Sequence, residues 1–305
     1  MGTYKTVSEK IFALGESPRW DDRHNRLWMT DLLAGKLYRI NPEDGCAREM
    51  ASGKNVGGFA LGLDGDLICA CHQGLFGWKE DTGFQLITDS HEGHPLHCND
   101  GIADARGRFL FGTSFYDAGI EETCRRGKLF CVQADAGIEI LDEGILHSNG
   151  LGFSPDNHTL YYTDSAERII YAYDYDIEKG RTRNRRIFAE IPAWEGLPDG
   201  LAVDAAGYIW SANWYGARVV RYAPDGTIDF VARTPAQQTS AVAFGGKDLT
   251  DLFITTANTW VKLKSAPANY AYEALEPGGT LLKYNFGIKG KPTDYANIKW
   301  QKKLA

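Results

Sequence analysis

The sequence predicts an all-β fold: a six-bladed β-propeller of four-stranded antiparallel blades, closed into a ring by an N-terminal strand. Three observations carry this expectation. Helical periodicity is almost absent, and short runs rich in Val, Ile, Leu, Tyr, Phe and Trp alternate with Gly, Asp, Asn and Pro turns, as strands and tight connections require. The runs recur as six copies at a period of about 40 to 53 residues, the length of a propeller blade. In four of the six copies a carboxylate or carboxamide stands at one fixed distance before a turn.

The outer half of each copy reads as a strand pair. Arg26–Asp31 leads to Gly35–Ile40, Asp66–Ala70 to Gly74–Trp78, and Arg108–Thr113 through a longer loop to Gly127–Cys131. Thr159–Asp164 leads to Ile169–Tyr173, Tyr208–Ala212 to Arg218–Tyr222, and Asp251–Thr255 to Gly279–Tyr284. Turns such as Asp44-Gly45, Thr82-Gly83 and Asp225-Gly226 close these units. A sandwich would rarely repeat one four-strand grammar six times, and solenoid signatures are missing. The run Lys5–Phe12 has no hairpin partner nearby, so it is expected to pair with the last blade and remove an exposed sheet edge. No Pro- or Ser-rich linker interrupts the chain, which predicts one domain over residues 1–305.

Composition bounds the function. With 43% apolar and 24% charged residues the chain reads as an ordinary soluble globular protein. A net charge of −7 argues against a nucleic-acid partner, which needs clustered positive charge. The one basic run, Arg181–Arg186, is expected to be a solvated turn between strands. No window approaches the roughly 20 apolar residues of a membrane helix. The N-terminus has no basic segment followed by an apolar stretch, which predicts no signal peptide and a cytoplasmic location. Six cysteines form no CxxC pair, so free and mostly buried thiols are expected, with Cys69 and Cys71 on one face of a strand.

Counting five residues back from the turn that ends the first strand of each copy gives Glu16, Phe59, Asn99, Asn149, Asp199 and Ser240. First strands line the channel of a propeller, so equivalent positions meet at one height around the axis. Glu16, Asn99, Asn149 and Asp199 then form a ring of side-chain oxygens, the donors that hard divalent cations use. Without a cation, two buried carboxylates would repel or raise one another's pKa.

At these residues the chain resembles the SMP-30/gluconolactonase/luciferin-regenerating-enzyme family, also called regucalcin-like. The matching stretches are Leu14–Trp20, Asn99-Asp100-Gly101, Ser148–Asp156 and Pro198–Asp204. The resemblance implies a six-bladed propeller with one catalytic divalent ion (Ca, Mg, Mn, Zn or Fe) in the channel. It implies Glu16, Asn149 and Asp199 as metal ligands, Asn99 beside metal and substrate, and Asp199 as general base. The implied activity is hydrolysis of a sugar lactone to its aldonic acid. One departure stands out: where the family often has a substrate-touching Arg, this sequence has His97.

Metal and Asp199 would together polarise the carbonyl and deprotonate water. A carboxylate that ligates metal is a weak base, so the ligand role of Asp199 is the firmer of its two. There is no Gly-x-Ser-x-Gly elbow. His91, His94 and His97 invite a zinc reading, but Gly93 and Pro95 argue against a helix that would align them, and a polar rim loop is preferred. His97 is expected to touch substrate and to donate to a sugar hydroxyl. Tyr116 in the loop Phe115–Arg126 is a further substrate-binding candidate, followed by Asp117, Glu121, Arg125 and Arg126. Trp194, Trp214 and Tyr215 would either stack on a sugar or pack between blades. Two other functions stay open: a phosphotriesterase-like hydrolase and a non-catalytic calcium-binding propeller. Oligomeric state is unknown from sequence.

Overall fold

The computed structural model describes residues 4–115, 126–261 and 277–303. Six four-stranded antiparallel sheets are arranged as propeller blades, and no α-helix occurs among the described residues. In blades one to five the strands follow in chain order from the channel outward. Their first strands are Gly15–Asp21, Val56–Leu61, Cys98–Ala103, Ser148–Phe153 and Leu197–Val203. In blade six, Thr239–Gly245 is innermost and the outermost strand is Lys5–Thr6, which pairs antiparallel with Leu282–Asn285. The predicted ring closure is therefore present. Only two residues of the run Lys5–Phe12 are regular strand, but Val7 N–H and Phe12 N–H donate to Leu281 and Gly279 and extend the contact.

The strand pairs read from sequence as the outer half are the second and third strands of their blades. Each blade carries one more strand outside them, as in Ala47–Ser52 and Gly83–Thr88, whose mixed exposure gave a weaker apolar signal. Arg181–Arg186 is likewise a strand, not a turn. It opens Arg181–Glu190, the outer edge of blade four. Its arginines pair with Glu139, Asp176, Asp142 and Asp174, so the run is a charged edge that discourages further strand pairing.

Apolar burial explains the radial arrangement. The second strands are buried on both faces, so each sheet must be covered by a neighbour on either side. The result is six wedge-shaped cores between adjacent blades. Trp28, Phe59 and Trp78 fill the wedge between blades one and two, and Trp20, Phe253 and Leu281 the wedge that closes blade six onto blade one. Cys69 and Cys71 lie together in the first of these, free and buried.

A C-terminal strap from Gly290 crosses the channel end opposite the entrances of the first strands. It hydrogen-bonds the turns of blades six, one, two and three through Leu249, Trp20, Leu61 and Gly107. Lys291 Nζ reaches Asn157 of blade four, and Gly290 bridges Asp204 of blade five. Lys291–Asp294 lines one side of a cavity of about 90 Å³ in the lower channel. The strap ends on Trp300, which is 1% exposed, lies over Gly77 and donates from Nε1 to Asp66 at 2.9 Å.

Candidate metal and substrate site at the channel mouth

Every first strand is bulged where it enters the channel. The pairing shifts between Glu16 and Arg19, Val56 and Gly58, Cys98 and Asp100, Asn149 and Leu151, Pro198 and Leu201, and Thr239 and Ala241. A bulge turns a side chain away from the pleat and is common beside functional sites. The six entrances also touch in a closed circuit. Ser17 Oγ donates to Gly57 O, Gly57 backs onto Asn99 O, and Asn99 Nδ2 donates to Ser148 O at 2.7 Å. Gly150 backs onto Asp199 O, Gly200 onto Ser240 O, and Ser240 Oγ donates to Gly15 O at 2.6 Å. A Cβ at Gly57 or Gly150 would collide with the neighbouring backbone, so this approach needs glycine.

Glu16, Asn99, Asn149 and Asp199 thus stand on four of six converging entrances. Blade two differs from the sequence expectation. Its turn begins at Gly62, whose N–H donates to Asp66 O, so five residues back is Gly57, not Phe59. Phe59 is fully buried in the wedge core, and blade two offers the ring no side chain. Ser240 is spent on Gly15 O and Thr255.

The local scaffold is carried by acids on the second strands. Asp31 accepts from Ala13 N–H and Leu14 N–H and so fixes the approach to Glu16. Asp164 accepts from Leu146 N–H and His147 N–H and does the same for Asn149. Asn149 Nδ2 donates to Ser165 Oγ at 3.1 Å. The amide nitrogens of Asn99 and Asn149 are thus engaged, which leaves their oxygens as the acceptors of these two side chains.

Electrostatically the site is an unneutralised acid cluster. Burial, then Asp100, pushes the Glu16 carboxyl up to about 8. Burial, then Glu16 and Asp100, pushes Asp199 well above the carboxylate range. Asp100 is raised by burial and opposed by Arg19, whose Nη2 lies 3.6 Å away. Fully ionised, three carboxylates against one guanidinium leave two negative charges. Asp100 is satisfied by Gly101 N–H at 2.7 Å and Ser17 Oγ at 3.3 Å, whereas Asp199 Oδ1 is buried with no hydrogen-bond partner. An orphaned carboxylate oxygen is costly unless something positive meets it. Glu16, Asp199 and the Asn149 amide oxygen could hold a hard divalent ion, for which two excess charges and all-oxygen donors fit. No cluster of three or more His, Cys, Asp or Glu side chains that could hold a metal ion is found among the described residues, so such a cradle depends on its amide.

Sequence reasoning missed Asp100 and Arg19. The signal was present: Asn99-Asp100-Gly101 and Pro198-Asp199-Gly200 both put an acid before glycine, offset by one residue, and register counting kept only one of each pair. It also missed two histidines at the rim, His72 and His147. His91 and His94 face each other in a small hairpin, Ser90–His91 with His94–Pro95, and His97 is not with them. His97 instead stacks on His72, ring centroids 4.3 Å apart. Its Nδ1 lies 2.8 Å from Ser114 O, an acceptor, so Nδ1 carries the proton and Nε2 is an acceptor. The free nitrogen of His97 therefore accepts, opposite to the donation expected from sequence. His147 Nδ1 lies 2.6 Å from Ser114 Oγ.

Tyr116, Asp117, Glu121 and Arg125 lie outside the described residues. Arg126 is paired with Glu167 at 2.8 Å. Trp214 and Tyr215 are buried in a mouth-side cluster with Leu14, Leu32 and Leu197, the packing alternative, while Trp194 is 81% exposed.

Fold and site together define a channel-centred propeller with a mixed carboxylate and amide donor ring at one mouth. The family model of the SMP-30/gluconolactonase/LRE-like region matches residues 14–258, and the chain belongs to that family. A pentonolactonase of Haloferax volcanii is 37% identical over 84% of this chain and 85% of its own length. A 6-deoxy-6-sulfogluconolactonase of Pseudomonas putida is 34% identical over 84% of this chain and 87% of its own. Among solved structures, a luciferin-regenerating enzyme superposes with a TM-score of 0.88 over 98% of this chain and all of that one, at 24% identity.

Proposed function

We propose that this protein is a divalent-metal-dependent hydrolase that opens a sugar lactone to its aldonic acid, with Glu16, Asn149 and Asp199 as metal ligands. The observation that carries the metal assignment is the orphaned, buried Oδ1 of Asp199 beside Glu16. The lactone assignment is supported by the activities named for the two relatives above. A bound divalent ion supplies Lewis-acid polarisation of the reacting carbonyl and activates water.

The chain's own residues supply the rest. Asn99, its nitrogen anchored on Ser148 O, offers an oxygen to a substrate hydroxyl. His97 offers its Nε2 lone pair. Asp199 is the group that receives a proton from the attacking water, in its ionised state. Asp100, held by Gly101, Ser17 and Arg19, keeps negative charge against Glu16 and Asp199 and so favours cation capture.

A pH-stat assay on pentono- and hexonolactones, with phosphotriesters in the same panel, tests the reaction. Lactone opening is expected to stop after EDTA and return with one or more of Ca²⁺, Mg²⁺, Mn²⁺, Zn²⁺ or Fe²⁺. Hydrolysis that survives complete chelation would overturn the metal mechanism.

Stability offers a second test. Glu16 and Asp199 bind their protons more tightly folded than unfolded, so the metal-free protein is expected to lose stability as pH rises from about 4.5 to about 8. Added divalent ion at about 100 times its Kd is expected to raise Tm by on the order of 5 °C at pH 8 and little at pH 5. A cation effect independent of pH would argue against the carboxylate pair as its site.

A further inference from the structure

Three rim histidines are not used by the ring itself. His72 follows Cys71 at the end of the second strand of blade two, His97 precedes the first strand of blade three, and His147 precedes that of blade four. The His72 and His97 rings lie nearly parallel, with an interplanar angle of 24°. Ser114 ties the group together: its carbonyl accepts from His97 Nδ1, and its hydroxyl meets His147 Nδ1. Phe115 flanks His97, ring centroids 6.1 Å apart. His72 also interacts with the Asn99 side chain. His72 therefore touches both residues assigned to substrate, Asn99 and His97.

Two stacked imidazoles at this separation do not both take a positive charge, because like charges in a partly dry site repel. Burial lowers both rings, His72 to about 4. The groove beside the stack, about 420 Å³, is lined also by Gln73, Asp89, Ser90 and Phe115, with no lysine or arginine among its described lining residues. Its described lining thus offers acceptors, a carboxylate and an aromatic face, and no cation.

We propose that the His72–His97 stack is a charge-selective wall that seats the uncharged, hydroxyl-bearing end of the lactone and disfavours substrates with a sulfonate, phosphate or carboxylate there. His72 is a positioning residue: it holds the His97 ring flat and keeps Asn99 aimed at the channel. A hydroxyl donates to His97 Nε2, whereas an anionic oxygen meets a lone pair in a groove that also carries the Asp89 carboxylate. This selectivity rests on the lactone reading above.

The experiment measures kcat and KM separately for a neutral hexonolactone and for the same lactone carrying a terminal sulfonate. Wild type is expected to favour the neutral lactone in kcat/KM by about tenfold or more. His97→Arg is expected to move the ratio toward the sulfonate by about 10- to 100-fold, as a charge-assisted contact replaces a lone pair. His72→Phe keeps an aromatic ring in the stack and loses the contact to Asn99. It is expected to raise KM for the neutral lactone about 3- to 10-fold and to change kcat much less. A purely structural role for His72 would lower Tm without this split. Equal wild-type efficiency on the two lactones, or an unmoved ratio in His97→Arg, overturns the wall while leaving lactone opening intact. A wild type that opens neither lactone overturns the lactone reading and the wall with it.

Discussion

Asp199→Asn is expected to lower kcat/KM for lactone opening by at least about 10³-fold and, in the metal-free protein at pH 8, to raise Tm. The two effects have one cause. Asp199 is buried with an unpaired oxygen, beside Glu16 and Asp100. In the absence of a cation its ionisation is unfavourable, and an amide of the same shape removes that burden. With the cation present the same charge is what holds it. Glu16→Gln is expected to behave alike. Circular dichroism should keep its β signal in both, and rates near wild type in either would refute the site. The variants also separate the two roles of Asp199. If Asp199→Asn keeps the cation-induced Tm rise and loses turnover, Asp199 acts as base; if it loses both, it is a ligand.

The second large effect is structural. Trp300→Ala is expected to cost about 3–5 kcal/mol, a fall in Tm of about 5–8 °C, with kcat per folded molecule unchanged. The indole is fully buried over Gly77 and donates to Asp66, so truncation leaves both a cavity and a poorer partner for a carboxylate. Gln301 Nε2 also reaches Asp66 at 3.2 Å and retains part of that contact. Because the strap lies at the end of the channel away from Glu16 and Asp199, kinetics should not follow stability. Thermal melts alongside turnover measurements check this. A variant that melts like wild type would mean the strap is held elsewhere along its length.

Much of this architecture could be read from residues alone. Strand runs, turns and a constant period identify blades because a blade is a local unit that repeats. The ring position was legible in Glu16, Asn99, Asn149 and Asp199 because register within a strand follows from counting to its turn. It failed in blade two, where Asp64-Gly65 resembles the turn opening but the hydrogen-bonded start is Gly62. The bulges were not visible, and they explain why Asp100, one residue past the counted position, joins the acid cluster. His72 and His147 escaped notice because each sits on a different blade from His97. Only the packing of consecutive blades brings them together, and no spacing rule encodes a contact made across blades. Arg181–Arg186 misled in the other direction: an exposed outermost strand carries charge on both faces and looks like a solvated turn.

The strap has one more consequence. Among the described residues it lies across the end of the channel away from Glu16 and Asp199. For the proposed reaction, incoming lactone and outgoing aldonate then pass the mouth where Glu16 and Asp199 stand. The product is an anion, and it leaves past a rim groove with no lysine or arginine among its described lining residues. The lining proposed to turn away anionic substrates therefore does not hold the product back.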